Sequence, residues 1–311
     1  MRFQFSNFFA NGVIPAFAIA LASFARAQPI EWTKMIWESA DLGPRTEEHA
    51  ALMLEVKLDS QPASALMQLD TGASGNFVYI DNTEPLDPAR LFVTLSGTVA
   101  RRPMQGEQFF RFPFHDPSGR LPLIGTIGLP FFERRILLLD FVAQQIAILD
   151  KDETLPAAIA PPLDFVPVEY RKGYRNGKLF VPLSLNGAEV RDLFFDTGSA
   201  VTPIATTRSM WSELTGRQPS DPANERITAK SWGRDSAAIG APLKGEMCIG
   251  RTCVAHPLVY FQPSEPDDSL NFSGWISTAL FDYRYSIVLD LPHKRLGVYK
   301  GSLVELGRPK K

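Results

Sequence analysis

The sequence repeats itself, and this repeat constrains the fold more than any other feature. The first half contains an apolar segment at residues 65–69 that ends in Asp70-Thr71-Gly72. The second half contains residues 193–195, followed by Asp196-Thr197-Gly198. In each half a shorter apolar segment and a turn precede the tripeptide. A repeated strand–turn–strand unit predicts two similar halves, each with its own buried face.

The ends of the two halves match as well. Short apolar segments separated by turns, in a chain with 25 prolines and 22 glycines, predict many short strands. Residues 206–215 are the best candidate for a short helix. Asp140 and Asp290 end equivalent strands, where we expect a role in turns or lobe packing. The fold class predicted is all-β, with two pseudo-symmetric lobes and a cleft between them. The matching segments are 125–132 with 274–281, 136–140 with 287–290, and 146–149 with 296–299.

The first residues read as a targeting segment and not as part of the fold. Arg2 gives a positive start, residues 8–24 are mostly apolar, and Ala25-Arg26-Ala27 resembles a cleavage site. An uncleaved membrane anchor is the alternative, although the apolar stretch is short for a bilayer span. The domain prediction is a signal peptide at 1–27, an N-terminal lobe at 28–153, a linker at 154–164 and a C-terminal lobe at 165–311.

Two aspartates in equivalent positions suit acid–base chemistry. Two carboxyl groups that face each other share one proton, because both cannot easily ionise side by side. The ionised member takes a proton from water, and the protonated member donates to a carbonyl oxygen. The alternative is a pair of Asx turns at strand ends. The chemistry predicts Asp70 and Asp196 as catalytic residues, with Thr71, Gly72, Thr197, Gly198 and Ser199 supporting them.

The sequence resembles the pepsin-like and retropepsin-like aspartic peptidases, in which each lobe supplies one Asp-Thr-Gly and, later, two apolar residues before a glycine. Residues 70–78 are similar to the first-lobe pattern, Thr126-Ile127-Gly128 to its apolar partner, and residues 196–199 to the second-lobe motif. The resemblance covers most of residues 46–150 and 163–300. It implies an acid-protease fold of the double-ψ β-barrel type. It also implies an exported, single-chain aspartic endopeptidase of the bacterial type, without metal or cofactor.

Three positions depart from the family pattern. Ser277 stands where the second lobe should carry glycine, and it either crowds the loop above it or is accommodated. The expected flap hairpin, at residues 95–105, has no tyrosine. Ala73 follows the first motif, whereas Ser199 follows the second. A hydroxyl that donates to a carboxylate lowers its pKa, so we expect Asp70 to hold the shared proton more often. These departures keep open an alternative function, a non-catalytic module that binds peptides or proteins.

Two cysteines, Cys248 and Cys253, flank a glycine-containing turn between apolar segments. This pattern predicts a hairpin, which an oxidising compartment would close with a disulfide. Two free, half-buried thiols are the alternative. The spacing matches no zinc motif.

Charge and composition narrow the partners. The chain has 32 basic and 34 acidic residues and no basic stripe, which gives no reason to expect nucleic acid as a partner. The four histidines stand apart, so we predict no metal site. We expect a peptide or protein substrate, a monomer, no membrane span after signal cleavage, and a secreted or periplasmic location.

Overall fold

Short apolar segments bounded by turns form strands throughout the chain. A computed structural model of the protein describes residues 30–80, 90–114, 122–171, 177–231, 234–264, 272–281 and 284–308. The prediction of an all-β fold is confirmed. The predicted short helix is also confirmed, as α1 (Arg208–Thr215), which the Thr207 side chain caps.

Strands in the first half are β1 (Thr33–Lys34), β2 (Ile36–Asp41), β3 (Thr46–Leu58), β4 (Ala65–Asp70), β5 (Phe77–Ile80), β6 (Phe92–Val99), β7 (Arg102–Pro113), β8 (Leu123–Gly128), β9 (Arg135–Asp140) and β10 (Gln145–Asp150). Strands in the second half are β11 (Asp164–Pro167), β12 (Glu169–Arg171), β13 (Lys178–Phe180), β14 (Leu183–Leu185), β15 (Ala188–Val190), β16 (Leu193–Asp196), β17 (Ile204–Thr206), β18 (Glu225–Ser231), β19 (Arg234–Pro242), β20 (Glu246–Ile249), β21 (Thr252–Ala255), β22 (Leu258–Phe261), β23 (Gly274–Ser277), β24 (Tyr285–Asp290) and β25 (Arg295–Lys300). A second helix, α2 (Leu303–Leu306), and 3-10 turns at Leu129–Phe132 and Thr278–Phe281 complete the described elements.

The first lobe is a seven-stranded sheet in the order β2-β3-β4-β8-β5-β7-β6. Strand β4 carries consecutive apolar residues and is almost entirely buried, as expected for a strand that is covered on both faces. Its parallel partner β8 places Gly128 opposite Asp70. Strand β5 is antiparallel to β8 and parallel to β7. The loop after Asp70 therefore joins β4 to β5, which lie on either side of β8.

The second lobe repeats this arrangement in an eight-stranded sheet, in the order β12-β13-β16-β23-β17-β22-β19-β18. Strand β16 ends at Asp196, and its parallel partner β23 places Ser277 opposite. Strand β17 is antiparallel to β23 and parallel to β22. Because both lobes have the same strand pairing around their motifs, the predicted pseudo-symmetric, double-ψ type of fold is confirmed.

A six-stranded sheet, in the order β1-β10-β9-β24-β25-β11, joins the two halves. Asp140 and Asp290 end its central strands and are fully buried. The Asp140 carboxylate accepts hydrogen bonds from the Ser302 hydroxyl at 2.7 Å and the Ala143 amide at 2.9 Å. The Asp290 carboxylate accepts one from Arg295 Nε at 2.7 Å. Both aspartates thus hold turns and packed segments, as predicted.

The two cysteines lie on adjacent strands of a smaller sheet, in the order β15-β14-β20-β21. Cys248 and Cys253 face each other in the β20–β21 hairpin and form a disulfide. The predicted disulfide is confirmed, and it is consistent with an oxidising compartment. The predicted signal peptide, residues 1–27, lies outside the described residues. Among the described helices, none has the length and apolar character needed to cross a membrane.

Residues 95–105, for which the sequence predicts a flap over the site, form the end of the β6–β7 hairpin. The amide of Ala100, in its turn, donates to the Glu55 carbonyl at 2.9 Å. Val99 pairs with Val56 of β3, and both Val99 and Ala100 are buried. Because strand pairing fixes this hairpin into the sheet of the first lobe, the prediction that it forms a flap is wrong.

The β2–β3 hairpin reaches from the first lobe to the second. The carbonyl of Leu42, in its turn, accepts a hydrogen bond from the Thr228 amide of β18 at 2.9 Å. The Leu42 side chain is buried in a small apolar cluster with Tyr260. Arg45 forms an ion pair with Glu225. This hairpin therefore ties the first lobe to the second.

Candidate functional site

The two Asp-Thr-Gly motifs meet, and their threonines interlock. The Thr71 amide donates to Thr197 Oγ1 at 2.9 Å, and the Thr197 amide donates to Thr71 Oγ1 at 3.0 Å. Each hydroxyl also donates to the other lobe, Thr71 to the Phe195 carbonyl at 2.9 Å and Thr197 to the Leu69 carbonyl at 3.0 Å. All four bonds are buried, so the two loops hold each other in a fixed register.

Each carboxyl group lies against the glycine of the opposite motif. A β-carbon on Gly72 would lie less than 3.0 Å from the Asp196 carboxylate, and one on Gly198 would lie equally close to the Asp70 carboxylate. Only glycine allows this approach at both positions. Asp70 is 8% exposed, whereas Asp196 is partly exposed. The seven residues of the predicted site are therefore together at the junction of the lobes.

Burial is the main influence on the acidity of the pair. It raises the pKa of the Asp70 carboxyl well above its ordinary value, and the charge of Asp196 and the hydrogen bond between the two groups raise it further. Burial also raises the pKa of Asp196, against the charge of Lys178, the bond from Asp70 and the amides of Gly198 and Ser199. Asp70 is therefore the preferred holder of a proton that both groups share.

The reason for this preference differs from the one that the sequence suggests. Ser199 Oγ accepts a hydrogen bond from Trp275 Nε1 at 2.9 Å and bonds to Thr202 Oγ1 at 2.8 Å. Its hydroxyl is thus engaged away from the Asp196 carboxylate, and the expectation that it donates there is wrong. The contact between the two carboxyl groups makes the main difference instead. The charge of Asp196 and the hydrogen bond between the groups raise the pKa of Asp70, whereas the same bond lowers that of Asp196. Backbone amides add to this, because those of residues 198 and 199 lower the pKa of Asp196 and only that of Ala73 lowers the pKa of Asp70.

Two side chains reach from a strand of one lobe to the motif loop of the other. Lys178 Nζ, on β13, donates to the Gly72 carbonyl of the first lobe. In the other direction, Gln68 Nε2 approaches the Gly198 carbonyl at 3.4 Å. The Lys178 ammonium also lies 4.4 Å from the centre of the Phe194 ring. No sequence signal points to Lys178, because a lone lysine at the start of an apolar strand carries no information about its position in space.

Ser277 is accommodated below the second loop. Its side chain is fully buried, and its Oγ accepts a hydrogen bond from the Ala279 amide at 3.2 Å. Its own amide donates to the Pro203 carbonyl at 3.0 Å. In the first lobe, by contrast, a β-carbon on Gly128 would overlap the Gly75 carbonyl. The question that the sequence leaves open is therefore resolved in favour of accommodation.

Comparisons with known proteins show the fold. No family model matches the chain, and no curated protein is similar to it. Conglutin gamma, a basic 7S globulin from lupine seeds, has a solved structure that is 11% identical with a TM-score of 0.50, covering 90% of this chain and 97% of that chain. Basic 7S globulin from soybean is 10% identical with a TM-score of 0.49 and the same coverage.

These comparisons correct two predictions. The resemblance of the motifs predicts a pepsin-like or retropepsin-like aspartic peptidase, and therefore an endopeptidase. The lupine protein that shares the fold is a globulin, and no peptidase family model matches. Both predictions are wrong on these findings, whereas the two-lobed fold stands. A shared fold does not by itself establish hydrolysis.

Proposed function

We propose that the protein is a non-catalytic binding module with an aspartic-peptidase-like fold, which holds a peptide or protein segment in an extended conformation where the two motif loops meet. The observation that carries the proposal is the rigid pair of carboxyl groups, a buried Asp70 and a partly exposed Asp196, in a fold shared with a globulin. Groups that neighbouring bonds hold in place bind a ligand without the cost of ordering them first.

The site offers both kinds of hydrogen-bonding group that a peptide backbone needs. The carboxylate oxygens of Asp196 accept hydrogen bonds, and this group is the more exposed of the pair. The Lys178 ammonium has three N–H donors, of which the Gly72 carbonyl takes one. An extended peptide presents amides and carbonyls in alternation. Its main chain therefore complements the site without a requirement for one sequence.

Lys178 moderates the acidity of the pair. Its positive charge lowers the pKa of both Asp70 and Asp196, against the effect of burial. The pKa of Asp70 nevertheless stays well above its ordinary value, so Asp196 is the member that offers an ionised carboxylate to a bound segment.

Aromatic side chains provide an apolar surface beside the pair. The Phe194 ring lies 4.9 Å from that of Phe272 and 6.0 Å from that of Trp275, measured between ring centres. Phe272 and Trp275 are both partly exposed. Aromatic rings contribute large contact areas in binding sites. We therefore propose that apolar side chains of the bound segment pack against this cluster.

The partner and the place of action belong to the same proposal. The partner is a peptide or protein, and the chain acts as a monomer. The disulfide between Cys248 and Cys253 is stable in oxidising surroundings. It supports a location outside the cell or in a periplasm.

The proposal is tested with an immobilised library of unstructured decapeptides, from which binders are taken to calorimetry and to mass spectrometry. Wild-type protein is expected to bind a subset of peptides and to leave them intact over a range of pH. Asp196→Asn is expected to weaken binding by roughly 10- to 150-fold, because a hydrogen bond to a charged group contributes about 1.5–3 kcal/mol.

Asp59→Asn is the matched control, because it makes the same change of charge at an exposed position of the first lobe, and it should leave the affinity unchanged. Two results would contradict the proposal. One is the failure of every peptide to bind. The other is cleavage of bound peptides by the wild type that both Asp70→Asn and Asp196→Asn abolish.

A further inference from the structure

A second site lies between the β2–β3 hairpin and the second lobe. It is a cavity of about 180 Å³, which corresponds to roughly six water molecules at about 30 Å³ each. Asp70 and Asp196 are not among the residues that line it. Ala200, one residue beyond Ser199, forms part of its wall. The side chains that matter below are Trp37, Arg45, Glu47, Phe141, Tyr260 and Thr278.

Two carboxylates and one arginine lie at this cavity. Among the described residues that line it, Arg45 is the one arginine or lysine, and its contact with Glu225, which lies outside the lining, is close. Tyr260 also donates to Glu225 through its hydroxyl. Glu47, in contrast, has long contacts within the described part of the chain, at 3.5 Å to Arg45 Nη2 and 3.4 Å to the His49 amide. With one arginine between two carboxylates, Glu47 keeps most of its charge for a ligand.

Three aromatic side chains line the cavity, of which Trp37 is partly exposed, whereas Phe141 and Tyr260 are 3% and 0% exposed. The Trp37 and Phe141 rings lie 6.4 Å apart, and Tyr260 lines the cavity from β22. Trp37 is fixed by the hydrogen bond from its Nε1 to Gln144 Oε1 at 2.7 Å. Aromatic rings attract cations, and the attraction is stronger when water is excluded. Aromatic walls with a surplus carboxylate suit a cation that has an apolar body.

One buried polar atom in the wall lacks a partner. Thr278 is 5% exposed, and its hydroxyl oxygen has no hydrogen-bond partner among the described residues. A buried hydroxyl without a partner costs about 1–3 kcal/mol. A ligand with a hydroxyl group, or a water that enters with it, would remove this cost. The side chains of Arg45 and Glu47 are 37% and 27% exposed, so the cavity has access to solvent on their side.

We propose that this cavity binds a free organic cation the size of choline, with its ammonium group between Glu47 and the Trp37 ring. The Glu47 carboxylate favours a cation over an anion, and the volume favours an organic cation over a bare metal ion. Asp70 and Asp196 do not line the cavity, although Ala200, Val201 and Pro203 of its wall belong to the loop that follows Asp196.

The test is a calorimetric titration of the full chain with choline and with 3,3-dimethyl-1-butanol, a neutral compound of the same shape. Choline is expected to bind saturably to one site and at least tenfold more tightly than the neutral compound. Glu47→Gln should weaken choline binding at least fivefold. Glu48→Gln, which removes a charge from the next residue of β3, is exposed and outside the cavity lining and should change nothing.

A second readout is the indole N–H resonance of Trp37, assigned with a Trp37→Phe variant, which should shift on addition of choline. Equal affinity for choline and the neutral compound, an absence of binding by both, or unchanged affinity in Glu47→Gln would overturn the proposal. Sedimentation with phosphatidylcholine vesicles distinguishes a site for free choline from a site for the choline headgroup of a lipid. No sedimentation is expected, and sedimentation that depends on Glu47 would assign the site to a lipid and contradict a free ion.

Discussion

The loops that follow the two aspartates differ by one residue, and this difference decides what lies beneath each of them. The first loop runs from Asp70 to the start of β5 at Phe77, whereas the second runs from Asp196 to the start of β17 at Ile204. The carbonyl groups of the shorter loop lie so close to Gly128 that no β-carbon would fit there. The longer loop leaves space for a serine side chain. The need for glycine is therefore set by loop length and not by the Asp-Thr-Gly motif.

The same two regions also differ in charge. Lys178 reaches the first motif from the second lobe. By the strand registers around each motif, the equivalent position in the first lobe is Ala51. The backbone around the aspartates is thus nearly symmetric, whereas the electrostatics are not. The two motifs therefore share one scaffold and differ by one neighbouring cation.

The prediction with the largest expected effect tests whether the first motif loop leaves less space at Gly128 than the second leaves at Ser277. Gly128→Ala should lower the free energy of unfolding by more than about 3 kcal/mol, because the new β-carbon meets backbone atoms that cannot move aside. Ser277→Ala should cost only about 1 kcal/mol, for one lost hydrogen bond. Urea denaturation measures both. Similar losses in the two variants would show that the loops do not differ in the way described.

The second prediction tests the symmetry of the threonine bonds. Thr71→Val and Thr197→Val should each lower the free energy of unfolding by about 2–3 kcal/mol, because each leaves one buried amide and one buried carbonyl without a partner. Thr→Ser at either position keeps the hydroxyl and should recover most of the loss. Chemical denaturation of the four variants provides the measurement, and a large inequality between the two valine variants would argue against an equal interlock.

The third prediction concerns pH. The pKa of Asp70 is raised in the folded state above its ordinary value of 3.8, so its contribution to stability is fully present below that value and is lost as the pH rises through the folded-state pKa. Asp70→Asn removes this loss. At pH 7 its melting temperature should exceed that of the wild type by roughly 4 °C. Near pH 3 the two should melt together, and a constant difference at every pH would exclude a titration effect.

The smallest expected effect tests the difference in charge. Lys178→Met keeps the apolar stem but removes the cation that lowers the pKa of both Asp70 and Asp196. The pKa of each carboxyl should then rise further, and the melting temperature at pH 7 should fall by roughly 2 °C. Gln68→Met, the crossing side chain of the other lobe, should change the pH dependence of melting little. An equal effect of both substitutions would show that the charge of Lys178 does not distinguish the two lobes.

Much of the fold follows from the sequence because its signals are local. Repeated apolar segments, turn residues and the Cys248–Cys253 spacing each act over a few residues, and together they predict two β lobes and the disulfide hairpin. The equivalence of the two Asp-Thr-Gly motifs also brings Asp70 and Asp196 to the same strand end in each lobe. Strand faces and turns are fixed by short-range sterics and by the burial of apolar side chains, which a sequence displays directly.

Contacts between distant parts of the chain were decided only by the tertiary structure. Lys178 meets a carbonyl 106 residues away, and Arg45 meets Glu225 across 180 residues. The hairpin that was predicted to form a flap pairs with β3 in the sheet of the first lobe. Ser277 fits beneath the second motif loop because that loop is one residue longer than the first. Such contacts depend on the relative placement of whole sheets, which no local pattern encodes. The repeat therefore determined the lobes, whereas their packing determined the charge and the space around the two aspartates.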